Sequence, residues 1–245
     1  MNLFRKPINQ QLPTPAGNGA AVSPDTIPTG LVSLTKAAAV SLDKQGLTGQ
    51  RAAVYLVLDH SGSMHSYYQV GAVQRLAEQA LGLSANLDDD GTVPVIYFGS
   101  RAEAPIDVRL DNYRGIVDRT HTAVPWGSTD YAAAMRAVIS EYQQSGATDP
   151  AFVIFQTDGE PDDRAAAEQV LREASGLPIF WAFVGFGPRP RFLERLDDLR
   201  GRQVDNASLF HAARPERVSD GELYDGLTAE YGAWLAVAAG AGIVR

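Results

Sequence analysis

The stretch that decides the fold is Ala53-Val-Tyr-Leu-Val-Leu-Asp59-His-Ser-Gly-Ser-Met64. Ala53 to Leu58 form an apolar run that stops at Asp59. Its length and branching are those of a strand buried on both faces. Asp59 therefore stands where a buried strand gives way to a loop. Ser61 and Ser63 follow at alternate positions, with Gly62 between them. If the loop curls back, its three oxygen-bearing side chains converge on one point. Carboxylate and hydroxyl oxygens suit a hard cation such as Mg2+.

The pattern continues outward from this strand. Val70, Val73, Leu76, Ala77, Ala80 and Leu81 recur at helical spacing and predict an amphipathic helix over 69–83. Thr92 to Phe98 and Pro105 to Leu110 read as strands, and the short Gly99-Ser-Arg link makes them a hairpin. Asp111 is placed to cap a short helix over 112–119. His121 to Asp130 is a loop, and a helix follows from Tyr131 to Gln144. Ala151 to Gln156 is a second apolar strand that ends in a hydroxyl and a carboxylate, Thr157-Asp158-Gly159. A helix over 163–174, a strand over 177–186, a helix over 192–199 and a strand over 207–211 come next. Ser219 to Ala239 reads as one closing helix. This alternation predicts a doubly wound α/β fold: a mainly parallel six-stranded sheet, one antiparallel edge strand and helices on both faces.

The N-terminal end reads differently. Residues 1–30 carry Pro7, Pro13, Pro15, Pro24 and Pro28 and few large apolar residues, so a disordered or loosely attached tail is expected. Leu31 to Gly49 is a helix or a hairpin. Alanine content favours a helix over 36–44, with Ser33 or Thr35 as its cap. The domain proper is expected over 50–245.

Composition narrows the function. The chain has 245 residues, 45% of them apolar, enough for one sizeable α/β domain plus a tail. A net charge of −8 argues against a general nucleic-acid binder. The absence of cysteine removes disulfides, thiolate metal sites and a thiol nucleophile together. Arg5 and Lys6 are followed by no apolar core of signal-peptide length, and Tyr231 to Val244 is too short to span a bilayer. A soluble cytoplasmic protein with no membrane contact is expected.

Three loops compete for the crevice beyond the carboxyl ends of the strands, where such sheets bind ligands. They bring Asp59, Ser61 and Ser63, then Thr129, then Asp158. Two carboxylates and three hydroxyls suit an octahedral ion that keeps positions for water or a ligand. Thr129 is alternatively the cap of its helix, with Asp130 as rival. Glu160, Asp162 and Asp163 read either as a solvated acidic loop or as an outer electrostatic shell. The solvated reading is preferred for Asp162 and Asp163, and Glu160 stays open. His60 and His65 prefer softer metals and are expected at the surface or behind the ligands. Trp126 is equally a partner contact or a packing anchor.

Asp59-His-Ser-Gly-Ser63, Thr129 and Asp158-Gly159 resemble the metal-ion-dependent adhesion site of von Willebrand factor A (vWA) domains. That signature is Asp-x-Ser-x-Ser, a distant Thr and a distant Asp. The resemblance covers residues 50–240. Val32-Ser-Leu-Thr-Lys36, Val40-Ser-Leu-Asp-Lys44, Asn112-Tyr-Arg-Gly115, Gly127-Ser-Thr-Asp-Tyr131 and Thr157-Asp-Gly-Glu-Pro161 are similar to the bacterial tellurium-resistance group of vWA proteins, which is associated with tellurite and stress resistance. The resemblance implies that Ser61, Ser63 and Thr129 contact Mg2+, Mn2+ or Ca2+ through their hydroxyls. Asp59 and Asp158 would act directly or through water. The open position would accept a carboxylate from a partner protein. Such a module is not an enzyme. A metal-dependent phosphoester hydrolase is the alternative, but it lacks a nucleophile with a partnered base and a Gly-rich phosphate loop.

Overall fold

The structure, a computed structural model, describes residues 22–189 and 191–244. The expected sheet is present. Its strands are β1 (Ala53–Asp59), β2 (Thr92–Phe98), β3 (Ile106–Arg109), β4 (Ala151–Thr157), β5 (Ile179–Phe186) and β6 (Ala207–Ala212), in the spatial order β3-β2-β1-β4-β5-β6. All neighbours are parallel except β2 and β3, the antiparallel hairpin at the edge. Strand order reverses between β1 and β4. That is the switch point at which crevices open in such sheets.

Alternation along the buried strands builds two cores. Val54, Leu56 and Leu58 of β1 face one side with Phe152, Ile154 and Phe180. Tyr55 and Val57 face the other with Val153, Phe155, Trp181 and Phe183. The first side is covered by α1 (Val32–Lys44), α3 (Ala72–Leu87), α8 (Asp220–Thr228) and α9 (Tyr231–Gly240), and the second by α5 (Tyr131–Ser145), α6 (Arg164–Ala174) and α7 (Arg191–Asp197). Two short helices, α2 (His65–Gln69) and α4 (Ile116–Thr120), lie beside the carboxyl end of β1. No helix among the described residues is long and apolar enough to cross a membrane.

Several expected boundaries move, each for a local reason. The helix expected over 69–83 is α3, which starts only at Ala72, because Gly71 before it takes a left-handed φ of 74°, and which runs on to Leu87; Gln69 instead ends α2. The helix expected over 112–119 starts at Ile116 after Gly115, and Asn112 closes a turn by accepting from the Arg109 amide. Asp111 is not its cap. The closing helix over 219–239 breaks at Ala229-Glu230. The break lets α8 pack on α1 through Leu223, Tyr224 and Leu227, while Tyr231 of α9 packs edge-on against Phe152 at 4.9 Å.

The 31–49 segment contains the helix and not the hairpin. It begins at Val32, and neither Ser33 nor Thr35 caps it. Leu34, Ala38 and Leu42 are buried one turn apart, so packing against α3 and α8 sets its limits. Of the expected tail, residues 1–21 lie outside the described residues. Within the rest, Pro24–Thr26 form a 3-10 turn and Ile27 packs on the core.

Candidate metal centre

Asp59 is the last residue of β1 and is fully buried. Its Oδ1 accepts from the Ser61 amide at 2.7 Å and its Oδ2 from the Thr157 hydroxyl at 2.6 Å. The first bond curls the loop back towards the strand end, as the alternation of Asp59, Ser61 and Ser63 requires. The second ties β1 to β4 across the switch point. Burial pushes the Asp59 carboxyl up to about 6, against the pull of these two bonds.

The loop after β4 joins the first directly. Ser63 Oγ donates to Asp158 Oδ1 at 2.7 Å, and the Ser61 and Ser63 hydroxyls lie 3.2 Å apart. Asp158 is also raised by burial, with the Ser63 bond opposing. Asp59, Ser61, Ser63 and Asp158 thus form one connected set at the sheet edge.

Thr129 arrives on a loop stitched to both others. The Gly127 amide donates to the His60 carbonyl at 3.1 Å, and Ser61 and Gly127 pair as a one-residue parallel bridge. A Cβ on Gly127 would stand 2.5 Å from the Ser100 amide nitrogen, so only glycine permits this approach. On the other side Asp162 Oδ2 accepts from Ser128 Oγ at 2.6 Å and from the Thr129 amide at 3.2 Å, while the Asp162 amide donates to the Thr129 carbonyl at 3.0 Å. The helix cap is Asp130, whose side chain accepts from the Ala133 amide. Thr129 does not cap α5.

The flanking residues divide. Asp163 caps α6 by accepting from the Ala166 amide, and Glu160 pairs with Arg164 at 3.0 Å, both solvated roles. Asp162 is not a bystander, because it latches the Thr129 loop. His60 is fully buried and not at the surface. Trp126 is sandwiched between His60 and His65, with ring centroids 3.7 and 3.8 Å away. Burial lowers His60 to about 4, with its bond to the Pro125 carbonyl opposing, so the ring is neutral at pH 7. Thr157, Tyr131 and His121 were given no site role by the sequence, and Asp162 was read there as solvated. Tyr131 donates to Thr157 Oγ1 and to the Gly159 carbonyl, and His121 lies 3.3 Å from His60.

The set fits a hard divalent cation. Among the described residues no three His, Asp or Glu side chains form a metal cluster, so the candidate donors are hydroxyls mixed with two carboxylates. No Lys or Arg among those residues pairs with Asp59 or Asp158. One buried and one half-buried carboxylate, hydrogen-bonded by hydroxyl and amide donors, are a hard, anionic oxygen set.

A family model described as "vWA found in TerF C terminus" matches residues 51–244. The chain belongs to this TerF-like vWA family. Domains of the vWA class are typically metal-dependent protein-interaction modules. A Bacillus subtilis (strain 168) relative, the uncharacterized protein YcbR, is 35% identical over 216 residues, covering 86% of this chain and 88% of its own. Solved structures agree on the fold. A von Willebrand factor type A protein from Catenulispora acidiphila superposes with a TM-score of 0.54 at 15% identity, over 74% of this chain and 42% of its own. Manganese-loaded Plasmodium vivax TRAP protein gives 0.50 at 19%, over 72% and 74%. Mussel byssus proximal thread matrix protein 1 with a zinc-occupied MIDAS motif gives 0.51 at 16%, over 77% and 50%.

Proposed function

We propose that this TerF-like vWA chain is a metal-dependent protein-binding module whose ion is held by Asp59, Ser61, Ser63, Thr129 and Asp158. The observation that carries the reading is the connected set from Asp59 through Ser61 and Ser63 to Asp158, with the Thr129 loop hydrogen-bonded to its neighbours on either side. A divalent cation there supplies an electrophilic position for an anionic oxygen. With the hydroxyls in direct contact and Asp59 or Asp158 acting through water, the charge of the ion would be only partly offset, so a carboxylate of a partner protein is the fitting ligand. Mg2+ or Mn2+ suits the set, with Ca2+ as the third choice. The structures described as manganese-loaded and zinc-occupied support a divalent ion.

The chain's own groups act by holding and orienting. Thr157 and the Ser61 amide fix the Asp59 carboxylate, and Asp162 fixes the Thr129 backbone. A binding role is favoured over phosphoester hydrolysis because His60 is stacked on Trp126 and bonded to the Pro125 carbonyl, away from any site hydroxyl. We place the protein in the cytoplasm and in a bacterial tellurite- or stress-resistance system. Titration calorimetry with Mg2+ and Mn2+ tests the site. Binding by the wild-type chain and none by Asp59→Ala or Asp158→Ala is expected. Wild-type affinity in either variant sinks the assignment. Metal-dependent turnover of p-nitrophenyl phosphate that Asp59→Ala abolishes would favour the hydrolase. Tellurite sensitivity of a deletion strain, rescued by the wild-type gene and not by Asp59→Ala, tests the cellular role.

A further inference from the structure

A cleft of about 550 Å³ opens beside the candidate metal centre, between α2 and the segment running from α4 to Trp126. His65, Tyr68 and Gln69 line one wall, and Asp118, His121 and Trp126 the other. His65 is two residues beyond Ser63, and Trp126 three before Thr129. A ligand bound through the metal position therefore has this cleft as its neighbour.

Each wall has ring side chains fixed by packing. Trp126 is held between two imidazoles, and Tyr68 is buried with its hydroxyl donating to the Asp59 carbonyl at 3.0 Å. His121 packs 4.7 Å from Tyr68 and contacts His60. Burial lowers His121, so its ring is neutral at pH 7.

Among the described residues, Asp118 is the one Asp, Glu, Lys or Arg in the lining. Asp118 is exposed, and among the described residues no Lys or Arg pairs with it. No Lys or Arg lines the cleft. A second carboxylate or a phosphate would meet Asp118 in the cleft, with no Lys or Arg in the lining to take up its charge. The chain's net charge of −8 works in the same direction. We propose that the cleft between α2 and Trp126 takes a basic side chain of the partner, an arginine by preference, placed a few residues from the carboxylate that goes to the metal. A guanidinium brings five donors to the acceptors of Asp118 and Gln69, and its flat face suits a slot walled by rings. The partner signature is thus an acidic and a basic residue close together, rather than an isolated acid.

The inference rests on the metal-binding reading for the acidic half of that signature, and its test separates the two. The probes are capped peptides with one Asp and one Arg separated by zero to three glycines. Each has a twin in which uncharged citrulline replaces Arg. Binding to the full chain in saturating Mg2+ is followed by NMR at the Trp126 indole and the amides of residues 118–126. At one spacing the Arg peptide is expected to bind at least about tenfold tighter than its twin. Asp118→Asn should narrow that gap to about twofold while Mg2+ affinity, measured separately, is unchanged. Equal binding of the twins at every spacing, an undiminished gap in Asp118→Asn, or no binding of any peptide overturns the proposal. If the wild-type chain takes up no Mg2+ or Mn2+, the metal reading fails by itself. Acetyl-arginine amide then probes the cleft alone. A Trp126 shift lost in Asp118→Asn upholds the basic pocket, and no shift overturns it.

Discussion

A buried carboxylate is costly unless something compensates its charge, and Asp59 sits fully buried with two hydrogen bonds and no cationic side chain. The Thr157 hydroxyl acts as the partner that orients the Asp59 carboxylate. Groups behind a metal ligand commonly contribute about 10- to 100-fold to affinity. Thr157→Val keeps the shape and removes the donor, so Mg2+ affinity should fall by about tenfold. Calorimetry checks this, with circular dichroism confirming the fold. Unchanged affinity would mean that Asp59 is positioned by Ser61 alone. Asp162 makes an analogous case on the opposite side of the site. Asp162→Asn keeps one acceptor oxygen and should weaken metal binding less than Asp162→Ala, which frees the Thr129 loop from its latch. Equal affinities in the two variants would remove the latch from the argument. Thr157 could not be assigned from the sequence, because its contact with Asp59 depends on β1 and β4 being neighbours. Asp162 read as one more acid in a polar loop, since nothing local distinguishes an acid that reaches back to Thr129 from one that faces water.

At the level of elements, the sheet was legible because apolar runs ending in a polar residue mark buried strands whatever lies around them. Helix limits were less legible, because single glycines decide them. Gly71, at φ 74°, turns the chain between α2 and α3, and a Cβ there would meet no atom within 4 Å. Gly71→Ala should therefore cost only the backbone strain, about 1–2 kcal/mol, read as a lowered midpoint in urea unfolding. A cost near zero would show that the junction relaxes. Gly127 makes the contrasting case. Its added Cβ would collide with the Ser100 amide, so Gly127→Ala must shift the loop that carries Thr129. Metal affinity should drop together with stability there, whereas Gly71→Ala should leave metal affinity within about twofold. The break between α8 and α9 was hidden for a different reason. Both halves are apolar enough to be one helix, and only the position of Phe152 and Phe180 on the sheet tells Tyr231 to turn inward.

Across the whole molecule, several carboxylates are held above their ordinary range in the metal-free chain. Asp59 is raised to about 6 by burial, Asp88 to about 6 by burial and Asp90, and Asp197 to about 7 by burial with Glu230, Asp205 and Asp198 around it. A carboxyl whose pKa is higher folded than unfolded binds its proton more tightly in the native state. The native state then gains nothing from ionisation until the pH passes the folded value, while the unfolded chain ionises near 4. The contribution of these three carboxyls to the stability of the metal-free protein should therefore fall as pH rises from about 4 to 7 and level off above that, while His60 and His121, held neutral by burial, oppose it below about pH 6.5. Mg2+ acts in the opposite direction, since it favours the ionised Asp59 and binds only the native state. At about 100 times its dissociation constant it should add about 2.7 kcal/mol, or roughly 5–10 °C in melting temperature for a chain of this size. That gain should be largest at pH 8 and shrink below about pH 6, where the proton competes for Asp59. Melting curves at pH 5 and pH 8, with Mg2+ and with EDTA, give all four corners of this cycle. Asp59→Asn should erase the metal-dependent difference at both pH values while keeping most of the Asp88 and Asp197 slope. A metal-dependent gain that is the same at pH 5 and pH 8 would separate the ion from Asp59, and with it from the switch point of the sheet.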